Sequence, residues 1–132
     1  MAIDKPAIVE LTKDTFAQSI DGRPFAVVDF WAPWCGPCRA FAPVFAAAAG
    51  SHPDLLFAKV NNEDEQELAA YFHIRSIPTL MIFRDNFIVF AQPGALSAAA
   101  LEEVLGATLA LDMDAVRRDV SAQESGPEAK RA

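Results

Sequence analysis

The sequence predicts an α/β fold: a central mixed β-sheet flanked by helices, ending in a β-hairpin and a last helix. Three observations carry that prediction. The runs FAVVDFW (25–31) and LLFAKV (55–60) are nearly continuous apolar stretches, the pattern of strands covered on both faces. Helix-forming stretches lie between such strands. Finally, TLMIFR (79–84) and FIVFA (87–91) are separated only by Asp85-Asn86, residues that tolerate positive φ and suit a two-residue primed turn.

The elements follow in chain order. AIVEL (7–11) reads as a short strand, and TKDTFAQSI (12–20) as a helix capped by Thr12 and stopped by Gly22. After the buried strand 25–31, the stretch 38–50 is rich in helix formers, with Pro43 inside it as a kink and Gly50 as its stop. Strand 55–60 leads to the acidic helix 61–72, whose carboxylates gather near its positive end. The hairpin spans 79–91, and 96–110 forms a helix capped by Ser97. In the tail, Asp112 caps a short helix with Met113, Val116 and Val120 on one face, and from Ser121 the chain reads as disordered.

With 132 residues, 52% of them hydrophobic and ten of them phenylalanine, one domain can build its core without a disulfide framework. A net charge of −7 argues against nucleic acid and against an anionic membrane surface as partners. No apolar run reaches membrane-spanning length. The segment MAIDKPAIVEL lacks the layout of a signal or transit peptide, so the expected location is the cytoplasm.

Both cysteines of the chain lie in Trp34-Cys35-Gly36-Pro37-Cys38. A zinc site needs about four ligands, and His52 and His73 stand on separate segments in poor spacing, so no metal is expected. A structural bridge closing so small a loop would constrain the unfolded chain very little, and cytosol would tend to reduce it. Redox chemistry is left. The pair follows a buried strand and opens a helix, where unpaired N–H groups and the positive dipole end favour a thiolate on Cys35. Cys35 is expected to be exposed and Cys38 to face the core. Gly36 lets the chain bend and Pro37 presets the first helical turn.

Together with that motif, VVDFW with Asp29, Pro43, AKV with Lys59, Ile77-Pro78-Thr79 and GALS (94–97) resemble the thioredoxin family, over residues from about 9 to 109. The resemblance implies a thioredoxin-like three-layer sandwich over 1–110, with 111–132 as an extension outside it. It implies Cys35 as nucleophile, Cys38 as resolving thiol, Asp29 as proton relay and Lys59 as its charge partner. It makes Pro78 cis and facing the cysteines, with the Ile77 backbone open to an extended client by strand addition. Trp34, Gly36, Pro37, Gly94 and Ala95 complete the client-contact surface. The chain departs from the family pattern at Phe87, where a glycine is usual, and at Pro93, where a non-proline residue is usual.

The activity so implied is cytosolic protein-disulfide reduction, with no cofactor beyond the redox-active Cys35–Cys38 disulfide. Disulfide-containing proteins would be the clients, thioredoxin reductase the electron donor, and the chain a monomer. Gly36-Pro37 adds no positive side chain between the thiols, which favours reduction of clients over their oxidation. The rival expectation is a binding or chaperone-like module whose redox activity is incidental.

Overall fold

Successive side chains of a strand point to opposite faces, and in β2 (Phe25–Trp31) both sets are buried. Phe25 and Val27 belong to the core on one side, and Ala26, Val28 and Phe30 to the core on the other. Such a strand must lie inside a sheet that is covered above and below. The computed structural model, which describes residues 8–125, has it there. Among the described residues five strands form one sheet in the order β1 (Ile8–Glu10), β3 (Leu56–Asn61), β2, β4 (Thr79–Arg84), β5 (Phe87–Pro93). β3 runs parallel to both β1 and β2, whereas β4 is antiparallel to β2 and β5. The sheet is therefore mixed, as the sequence predicts.

Helices α1 (Phe16–Ile20) and α3 (Gln66–Tyr71) cover one face, burying Phe16, Ile20 and Leu68 against Val28, Phe30 and Phe83. Helices α2 (Gly36–Ser51) and α4 (Ala98–Leu109) cover the other, burying Phe41, Phe45, Leu101 and Leu105 against Val27, Phe57 and Ile82. The sequence-based bounds shift where turns compete with helices. The 12–15 segment is a turn in which the Thr15 hydroxyl accepts the Thr12 N–H, so α1 opens at Phe16 and Thr12 is no helix cap. Asn61 belongs to β3 and α3 begins only at Gln66, after turns that consume the acidic run. α2 starts two residues earlier than expected and passes through Pro43 and Gly50 to Ser51. The lost donor of Pro43 falls on the Arg39 carbonyl, four residues back.

Asp85 and Asn86 have φ of 52° and 73°, the primed turn that matches strand twist, so Phe87 can open β5 without a glycine. Pro93 closes the edge strand β5, opposite Thr79, where a missing N–H is tolerated. Ser97 caps α4 as expected, its hydroxyl accepting the Ala100 N–H at 3.1 Å. Ser97→Ala should lower the urea midpoint by the equivalent of about 1 kcal/mol, with disulfide reduction unchanged.

A further helix, α5 (Met113–Ser125), is capped by the Asp112 carboxylate, which accepts the Asp114 and Ala115 N–H groups. It buries Met113, and Arg117 ties it to Asp85 in the hairpin turn. The helix continues past Ser121, the point at which the sequence suggests loss of order. The expectations for residues 1–7 and 126–132 lie outside the described residues. Among the described residues no helix is long and apolar enough to cross a membrane.

Candidate redox site

β2 ends at Trp31, and after a turn at 32–34 the chain enters α2 with Cys35 as its N-cap. Pro37 falls in the first turn, where N–H groups have no intrahelical partner, so its missing donor costs nothing. Cys35 and Cys38 are disulfide-bonded, with Cα atoms 5.2 Å apart. The Cys38 N–H donates to Cys35 Sγ at 3.2 Å, so the cysteine sulfur takes the place of a capping side chain at the start of α2. Around the sulfurs pack Ala32, Trp31 and Ile77.

The peptide between Ile77 and Pro78 is cis, and the Ile77 carbonyl oxygen lies 3.7 Å from Cys35 Sγ. Pro78 is buried, and its carbonyl accepts the Gly94 N–H at 2.8 Å. Gly94 has φ of 105°, which a side chain would strain, so the glycine lets β5 turn away beside the 76–78 loop. Trp34 is 67% exposed, and Gly36, Pro37, Gly94 and Ala95 are exposed as well. A shallow groove of about 320 Å³ is lined by Trp34 and Ile77, which flank the pair, together with Asn62, Glu63 and Arg75.

The expected exposure of Cys35 needs correction. Cys35 is only 5% exposed against 1% for Cys38, because the Ile77 loop and Trp31 lie over the disulfide. The difference between the thiols is thus one of helix position more than of exposure. Lys59 acts on Asp29 through its charge, with no salt bridge between them among the described residues. It is Asp29's register neighbour, but its Nζ sits 4.5 Å over the Trp31 ring, a cation–π contact.

Asp29 is fully buried on the face that α2 and α4 cover, the face of its strand neighbour Val27. Neither carboxylate oxygen has a hydrogen-bond partner among the described residues. Burial drives its pKa from 3.8 up to about 7; the Lys59 charge opposes that rise and the Glu10 charge adds to it. Glu10 escaped the sequence reading, although the alternation Ile8, Glu10 already puts both on one face of β1. Asn62 escaped it too, since its unpartnered buried Oδ1 depends on how the turn after β3 folds. His52 pairs with Glu102, and His73 holds a turn with φ of 57°, both away from the disulfide. Among the described residues no group of three His, Cys, Asp or Glu side chains could hold a metal ion.

The family model for thioredoxin matches residues 7–107. A Streptomyces coelicolor protein described as thioredoxin 2 is 54% identical over 117 residues, covering 89% of this chain and 87% of that one. A thioredoxin of Porphyra purpurea is 41% identical over 101 residues, covering 75% of this chain and 94% of the other. Among solved structures, spinach chloroplast thioredoxin f is similar with a TM-score of 0.70 and 32% identity, over 82% of this chain and 99% of that one. Malassezia sympodialis thioredoxin gives a TM-score of 0.71 at 27% identity, over 80% and 94%.

Proposed function

The chain belongs to the thioredoxin family and is a thiol–disulfide oxidoreductase that reduces disulfides by dithiol–disulfide exchange, and from that footing we propose how its residues divide the reaction. Cys35, as thiolate, attacks one sulfur of a client disulfide. The client S–S bond breaks, a Cys35–client bond forms, and the client's second sulfur leaves as thiolate. Cys38 then gives its proton to the Asp29 carboxylate and attacks Cys35 Sγ. The mixed bond breaks, the client's first sulfur leaves as thiolate, and the Cys35–Cys38 disulfide is formed. Two electrons have passed to the client, whose sulfurs take up protons.

The observation that carries this division is the Cys38 N–H aimed at Cys35 Sγ at the start of α2. That donor, together with the helix end, stabilises negative charge on sulfur 35. Asp29 suits the relay because a pKa of about 7 keeps both of its protonation states populated near neutrality. Lys59 serves it by charge across the strand pair. Trp34, Gly36, Pro37, Gly94 and Ala95 form the rim on which a client rests, and the Ile77 backbone beside cis-Pro78 receives its extended chain. Clients are disulfide-containing proteins, and a thioredoxin reductase returns the electrons. The core fold of 1–110 suffices for this chemistry, with 111–132 as an appended element.

The Cys38→Ser variant tests the division. It should accumulate client proteins on Cys35 as stable mixed disulfides, visible by non-reducing electrophoresis and mass spectrometry. Conjugates on Cys38 in a Cys35→Ser protein, with none on Cys35 in the Cys38→Ser protein, would reverse the roles.

A further inference from the structure

Glu10 takes part in no step above, yet it stands on the same rung of the sheet as Asp29. One register line runs Glu10, Lys59, Asp29 across β1, β3 and β2. Two residues earlier the equivalent line reads Ile8, Phe57, Val27, and those side chains pack together on the α2 and α4 face. Strand phase therefore puts all three charged side chains on that face. Two carboxylates flank one ammonium, which is in salt-bridge contact with neither among the described residues and leans over Trp31 instead. With strands about 4.8 Å apart, Glu10 and Asp29 are roughly 10 Å from each other. At that range charges on a partly buried face still interact measurably.

We propose that Glu10 is a positioning residue for the redox reaction, its negative charge acting across Lys59 to make the Asp29 carboxylate a stronger acceptor for the Cys38 proton. The inference rests on the reading of Asp29 as proton acceptor for Cys38. Few groups compete for control of that carboxyl. β3 offers Lys59, β1 offers Glu10, and α2 offers Cys38 once the pair is reduced. β4 and β5 contribute the uncharged Leu80 and Gln92 to the same rung, and α4 presents Leu101 and Leu105. Asp64 acts on Glu10 from beyond it. Burial acts most strongly on Asp29 and the Lys59 charge opposes it; the Glu10 charge pushes in the same direction as burial, so the edge strand adds to a shift that burial begins.

The test follows the titration of Asp29 through its side-chain carboxyl ¹³C resonance in the reduced protein, for wild type, Glu10→Gln and Glu10→Lys. The midpoint should fall by about half a pH unit in Glu10→Gln and by about twice that in Glu10→Lys at low salt. Both shifts should shrink in about 1 M salt. The pH limb of client reduction should move with them. An Asp29 midpoint that stays put in both variants overturns the inference. A variant that merely loosened the edge strand would lose stability without a graded, salt-sensitive shift, which also counts against it. A midpoint that moves while the reduction rate ignores pH, in wild type and Asp29→Asn alike, overturns the relay reading and leaves the hold of Glu10 on Asp29 intact.

Discussion

Replacing Cys35 by serine is expected to bring insulin-type disulfide reduction down to background, a fall on the order of 10³-fold or more. A serine hydroxyl stays protonated at neutral pH, so the helix start and the Cys38 N–H have no anion to stabilise. Nothing else in the described site can replace the lost nucleophile, because Cys38 is the only other thiol and does not hold the N-cap position that Cys35 has at the start of α2. The measurement is turnover of a protein disulfide with a chemical or enzymatic electron source, and wild-type turnover no faster than the variant's would remove the assigned role. The same assay separates exchange from mere binding. If a client is still held and protected when both cysteines are serine, the apolar rim is acting as a binding surface independent of the redox pair.

Substituting Asp29 should have the largest effect on stability, and in the stabilising direction. Its pKa is about 7 in the folded chain against 3.8 without the fold, so between those values the folded state holds a proton that the unfolded state has released. Folding stability is therefore greatest, with respect to this group, below about pH 4, declines as pH rises toward 7, and levels off above it. The decline amounts to roughly 4 kcal/mol at one pKa unit per 1.36 kcal/mol. Asp29→Asn carries no charge to bury and should hold its denaturant midpoint between pH 5 and pH 8, ending several kcal/mol above wild type at the alkaline end. It should also slow the resolving step and flatten its pH profile. A wild-type midpoint that does not fall between pH 5 and pH 8 would show that Asp29 does not titrate there. The carboxylate is thus a stability cost kept inside the core, and the relay assigned to it explains why an apolar residue does not stand there.

Much of this architecture was legible in the chain because burial leaves a periodic trace. The double-faced apolar pattern of 25–31 announced a central strand, and Asp85-Asn86 announced the turn that their positive φ values form. Ser97 and Asp112 were readable as caps because a short polar side chain before a helical stretch has few other uses. Helix starts were less legible. Thr12 and Thr15 satisfy each other in a turn, and the 62–65 segment bends before α3 begins, choices made by contacts that a local pattern does not contain.

By itself the sequence determined the strand phases, the placement of both thiols at a strand-to-helix junction, and the presence of one carboxyl in an apolar strand. Those are properties of neighbours along the chain, where side-chain period and backbone preference act directly. Only the tertiary structure decided what surrounds them: the Ile77 loop over Cys35, the Lys59 ammonium over the Trp31 ring beside Asp29, and Glu10 on the same rung as Lys59 and Asp29. Charge and burial act through space, and β1, β2 and β3 meet on one rung only after the intervening helices have folded against the sheet.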